Sequence, residues 1–127
     1  MAPTSMDTRR FPRVDVEGRY GIRFVAGSRR FFGLPIISLG GGGCCFSLSS
    51  LLAPALREEM VLTGVGIEHP GIPFLAQKAR VTWIAGNQGR HTEPVVRVGI
   101  EYLDPDPEFV QAIERCVEDL LKKQGLR

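Results

Sequence analysis

Apolar runs in this chain never extend beyond a strand's length before a glycine, a proline or a charge cuts them off. With 15 glycines and 9 prolines in 127 residues, that punctuation restricts the fold more than any other feature. Val14, Val16, Tyr20, Ile22 and Phe24 fall on one side of an alternation, with Asp15, Glu17, Arg19 and Arg23 on the other. This is the period of a half-buried strand. Gly27-Ser28 marks a turn. Arg30–Ile37 follows as a second strand whose Gly33 and Pro35 predict an edge or a bulge. Gly40–Gly43 reverses the chain into Cys44–Leu48. Residues 49–58 read as a short helical turn or a loop. Met60–Ile67, Phe74–Ile84 and Pro94–Tyr102 complete the set, with Asn87-Gln88-Gly89 as the last hairpin tip. Six short, closely spaced strands predict an all-β fold with a six-stranded antiparallel β-barrel.

One helix is expected. Phe109, Val110, Ile113, Cys116, Val117, Leu120 and Leu121 recur at helical spacing and form one apolar stripe. Asp106 supplies an N-cap, Pro107 suits the first helical position, and Glu108 suits the positive end of the dipole. Lys122 and Lys123 suit the negative end, and Gly125 is placed to stop the helix. A C-terminal α-helix over about 107–123, plugging an open barrel end, is therefore predicted. Residues 1–8 read as a flexible N-terminal tail and 9–127 as a single domain, within the size range of one core.

Composition removes several classes of function. Hydrophobic residues make up 43% and charged residues 24%, as in an ordinary water-soluble globular domain. No apolar segment is long enough for a membrane helix, so no membrane insertion is expected. Met1 to Asp7 lacks a basic stretch followed by an apolar one, so no signal peptide is expected. The 3 cysteines, Cys44, Cys45 and Cys116, have no metal-ligand spacing and read as small buried apolar groups, which points to a cytoplasmic location. The net charge of +2 is unevenly spread. Residues 1–30 carry seven arginines against three acids, whereas residues 101–127 carry seven acids against four bases. That imbalance suits an anionic ligand but is too small for a surface coating nucleic acid. Phe31 and Phe32 read as core residues.

No catalytic pattern is present. His69 and His91 fall in predicted loops without a nucleophile nearby, and no nucleophile elbow or metal-binding spacing appears. The chain is not expected to be an enzyme, nor to need a cofactor or metal. The glycine run leads into a strand rather than a helix, so it is not a Walker loop. It reads instead as a hairpin whose glycines adopt positive φ and bring backbone amides close to a ligand. Upstream, Arg9, Arg10 and Arg13 flank Pro12 on an extended stretch. An arginine fork grips phosphate bidentately, stacks on purines and donates to guanine O6 and N7. A compact ligand with two phosphates and two guanines would use all of these groups.

In these residues the chain resembles the PilZ domain, the bacterial receptor module for cyclic diguanylate (c-di-GMP). The family pattern is Arg-x-x-x-Arg before the first strand, then Asp/Asn-x-Ser-x-x-Gly at the turn between the second and third strands. Arg9 and Arg13 match the first part, with Arg10 the frequent extra arginine. Ser38 and Gly41 match the second. Val98–Tyr102 resembles the closing strand of the family, and the helix from Pro107 its C-terminal helix. The resemblance spans residues 9–123. It implies a PilZ-like split barrel with a ligand site on the outer surface, formed by Arg9, Arg10, Arg13, Ser38, Gly41 and Gly42. It also implies a non-enzymatic receptor that relays the signal to a protein partner in motility or exopolysaccharide control. One position departs from the pattern. Ile36 stands where Asp or Asn would recognise the guanine edge, and losing a charged hydrogen-bond partner costs ~1.5–3 kcal/mol. The alternative implied by that departure is a degenerate adaptor that does not bind the nucleotide and acts through protein contacts.

Overall fold

The computed structural model describes residues 13–16, 19–86 and 95–124. Its strands are β1 (Arg13–Asp15), β2 (Gly21–Ala26), β3 (Arg29–Gly40), β4 (Gly43–Ser49), β5 (Val61–Glu68), β6 (Gln77–Ala85) and β7 (Val95–Leu103). A 3-10 turn at Ala53–Ala55 and a single helix, α1 (Pro107–Lys123), are the helical elements among the described residues. Strands β2 to β7 close an antiparallel barrel in the order β3-β2-β5-β6-β7-β4, with β4 returning to pair β3. The all-β barrel with a C-terminal helix read from the sequence is the fold found. The predicted tail, the tip at residues 87–89, His91 and Gly125 lie outside the described residues.

The inward positions of each strand supply the core. Ile22, Phe24, Ile36, Leu39, Cys44, Phe46, Leu62, Val81, Val98 and Ile100 are each at most 2% exposed. Phe24 stacks on Phe31 and packs tilted against Phe46, with centroids 4.9 and 5.3 Å apart. Phe32, read as core, is instead 60% exposed: Phe31 beside it takes the inward position, and the β2–β3 register shifts just after. Gly33 lies in that irregularity at φ +61°, a conformation that costs glycine no Cβ clash.

Helix α1 closes the barrel as expected. Its Phe109, Ala112, Ile113, Val117 and Leu120 join the core, and Tyr102 meets Phe109 edge-on at 5.1 Å. The Asp106 carboxylate accepts from the Glu108 N–H at 2.9 Å. The buried Gln77 side chain accepts from the Asp106 N–H at 2.8 Å and donates to the Leu75 carbonyl at 2.7 Å. One amide on β6 thus fixes where the helix starts. The helix packs against β1 and β3.

Two expectations are corrected here. The alternation from Val14 to Phe24 is not one strand. The Arg19 N–H donates to the Val16 carbonyl, a turn that splits it into β1 and β2 along the same edge of β3. The glycine run also does not use positive φ, since the glycines in that region are Gly27, Gly33 and Gly64. Gly43 is needed for closeness instead, because a Cβ there would collide with the Ile100 carbonyl on β7. Replacing Gly43 with Ala should therefore destabilise the fold by ~1–3 kcal/mol in urea unfolding, the usual cost of overpacking. Stability unchanged from the unsubstituted chain would contradict that contact.

Candidate functional site: the outer wall of β1, β3, β4 and β7

Arg13 and Asp15 are exposed while Val14 between them is buried, so β1 turns both charged side chains outward. Its partners on β3 are Gly40 for Arg13, Leu39 for Val14 and Ser38 for Asp15. The arginine-bearing segment therefore ends beside the glycine turn. Of the six residues read from the sequence, Arg13, Ser38, Gly41 and Gly42 come together at this corner. Arg9 and Arg10 lie outside the described residues.

The local register depends on a bulge in β3. Ile36 pairs with Phe46 and Ser38 with Cys45, so Ile37 is an extra residue. Regular alternation would turn positions 36 and 38 to the same face. With the bulge, Ile36 is fully buried in the core whereas Ile37 and Ser38 are half-exposed. The isoleucine that departs from the family pattern is thus a core residue, not part of the outer wall. Backbone bonds hold the bulge: Val16 N–H donates to the Ile37 carbonyl at 2.9 Å, and Ile36 N–H to the Tyr20 carbonyl at 3.0 Å.

Cross-strand pairing extends the wall. Asp15, Ser38, Cys45, Gly99 and Trp83 are successive partners across β1, β3, β4, β7 and β6. Trp83 is 39% exposed, and its indole lies on Gly99, where a Cβ would overlap the ring. The neighbouring positions carry Glu101, paired with both Gly43 and Arg80, and the exposed Arg97 opposite Ser47. Arg80 donates to Glu101 at 2.7 Å, which commits both charges. Arg97 makes no ion pair among the described residues. Burial pushes the Cys45 thiol up, and the positive charges of Arg97 and Arg13 oppose that shift from either side.

Sequence reading missed Arg97, Gly99 and Trp83. The i, i+2 spacing of Arg97, Gly99 and Glu101 signalled one face of a strand, and a glycine in mid-strand signalled a ring or backbone laid across it. What the chain alone did not contain was the register joining that face to Ser38. His69, read as a surface residue, is half-buried and stacks on Tyr20 with centroids 4.0 Å apart. Cys44 and Cys45 are buried as expected, but Cys116 is only partly so. A cavity of about 160 Å³ lies further back along β3, lined by Arg23, Val25, Arg30, Phe32 and Gly64. No cluster of residues able to hold a metal ion occurs among the described residues. No helix in them is long and apolar enough to cross a membrane.

A barrel whose outer corner joins arginine, serine and a glycine turn carries the donor groups that an anionic ligand requires. A family model for the PilZ domain matches residues 7–119, and the chain belongs to that family. PilZ domains are c-di-GMP-binding modules, not enzymes. The fold resembles the PilZ domain of Escherichia coli YcgR solved with c-di-GMP. There the TM-score is 0.70 at 16% identity, covering 91% of this chain and 93% of that one. It also resembles the MrkH–c-di-GMP complex of K. pneumonia, with a TM-score of 0.75 at 14% identity, covering 92% and 54%. A third similar structure is the Bacillus subtilis inhibitor of motility MotI/DgrA, with a TM-score of 0.71 at 15% identity, covering 94% and 52%. The chain thus spans about half the length of MrkH and of MotI. No curated protein matches it in sequence.

Beneath the wall, Tyr102 donates its N–H to the Gly42 carbonyl at 3.0 Å, and its buried hydroxyl lies at Cys44. Burial raises the Cys44 thiol from 9.0 to about 12 and pushes the Tyr102 phenol well above its usual range. The folded chain therefore holds these protons after the unfolded chain has released them. Their contribution to stability is complete below pH 9 and falls as pH rises towards about 12. Urea unfolding should show stability declining above pH 9, less steeply in Cys44→Ala. An identical slope in both chains would contradict the assignment to Cys44.

Proposed function

We propose that the chain is a non-enzymatic receptor for c-di-GMP whose site is the corner between β1 and the β3–β4 turn. The observation that carries this reading is the pairing of Arg13 with Gly40, which sets the exposed arginine beside a half-exposed serine and the glycine turn. In this reading the arm, residues 7–13, folds over the ligand. Arg9, Arg10 and Arg13 grip phosphates and guanine O6 and N7, since a guanidinium fork matches both. Ser38 and the Gly41–Gly42 backbone form the floor. Across the wall, Arg97, which makes no ion pair among the described residues, offers a guanidinium and Trp83 an aromatic face for a purine.

Ordering of the arm would change the surface shown to a partner, which is how binding becomes signal without chemistry. The partner is an unidentified protein in motility or exopolysaccharide control, and the site of action is the cytoplasm. Support comes from the family, from the YcgR domain solved with c-di-GMP, and from the motility inhibitor among the similar structures. One observation favours a second reading. Ile36 is fully buried and offers no acceptor, as in a degenerate adaptor that works without nucleotide.

Calorimetry separates the two. The receptor reading predicts binding of c-di-GMP by the unsubstituted chain and about ten- to hundredfold weaker binding by Arg13→Ala, the range for a lost charged hydrogen bond. Arg13→Lys should recover only part of the loss, since an ammonium cannot make the bidentate contact. No heat from the unsubstituted chain at micromolar protein would overturn this reading in favour of the adaptor.

A further inference from the structure

Arginine forks and backbone amides are all donors. They satisfy phosphate oxygens and guanine O6 and N7, but not the guanine N1–H and N2–H₂ edge, which requires acceptors. On the outer wall, Asp15 and Glu101 are the carboxylates among the described residues, and they differ in availability. Glu101 accepts from Arg80 at 2.7 Å, so its charge is committed. Asp15 is exposed and has neither an ion pair nor a side-chain hydrogen bond among the described residues. It is the cross-strand partner of Ser38 and lies two residues from Arg13 on the same face of β1. Ile36, which occupies the acceptor position of the family pattern, is directed into the core opposite Phe46.

We infer that Asp15 is the specificity-determining acceptor of this site and reads the N1–H and N2–H₂ edge of a guanine seated against Ser38. A carboxylate presents two oxygens side by side, matching two parallel N–H donors. Adenine places an acceptor at N1, which a carboxylate repels, so the same residue selects guanine over adenine. Arg13 on the same face offsets the negative charge that Asp15 brings near the phosphates. The acceptor missing from β3 is thus supplied by the adjacent edge strand. The inference rests on the receptor reading and assigns one side chain within it.

The test uses the whole chain and two ligands, c-di-GMP and its inosine analogue, which lacks only the N2 amino groups. The unsubstituted chain should bind c-di-GMP about tenfold or more tightly than the analogue, the usual discrimination by one charged hydrogen bond. Asp15→Ala should bind both ligands equally, because the group that senses the amino hydrogens is gone. Asp15→Asn retains the shape of β1, keeps one acceptor and should discriminate weakly, which guards against a folding defect in the alanine variant. A merely structural role for Asp15 would weaken both ligands in parallel and preserve their ratio. Tight binding with full discrimination in both variants overturns the inference and leaves the receptor reading intact. Failure of the unsubstituted chain to bind either ligand overturns the receptor reading and this assignment with it.

Discussion

A single inserted residue, Ile37, governs the geometry of the outer wall. Strand β3 runs for 12 residues and carries β2 and then β1 along one edge, with β4 on the other. Because side chains alternate strictly along a strand, a phase set by the core at one end would hold to the other. The bulge breaks that phase. It lets Ile36 and Leu39 both point inward, although they are three positions apart, and turns Ser38 towards solvent. The core therefore retains two large aliphatic side chains while the surface gains a hydroxyl beside the turn.

The energetics of the two faces differ accordingly. Inside, the barrel and helix form one continuous apolar cluster, and burial of each large side chain is worth ~1.5–3 kcal/mol. That store of stability is what permits a wall whose Arg97 and Asp15 have no ion-pair partner among the described residues. Surface charges contribute little to stability, and a free guanidinium or carboxylate is available to a ligand at small cost to the fold. Glycine has a structural role at both margins of the wall. Gly43 admits the Ile100 carbonyl and Gly99 admits the Trp83 ring. Neither role depends on unusual backbone angles.

Most of the strands, the helix and its N-cap were legible in the chain because they obey local rules. Asp106, Pro107, Lys122 and Lys123 sit where dipole and capping arguments place them. The corner of Arg13, Ser38, Gly41 and Gly42 was legible through the spacing of two short motifs. What escaped was register. Nothing local to Val14–Phe24 reveals that the chain turns between Val16 and Arg19, nor that Phe32 turns outward beside Gly33. Trp83, Arg97 and Asp15 enter the wall only through pairings between strands far apart in sequence. Such pairings are fixed by closure of the whole barrel, so a residue-by-residue reading does not contain them.

The central claim is that the segment ending in Arg13 and the β3–β4 turn form one binding surface. Amide chemical shifts recorded while c-di-GMP is added to the whole chain test it most directly. The account predicts changes concentrated at residues 13–15, 38–42 and 97–99, with the cavity lined by Phe32 and Gly64 left unperturbed. Changes centred on that cavity instead, or a spectrum indifferent to the nucleotide, would contradict it.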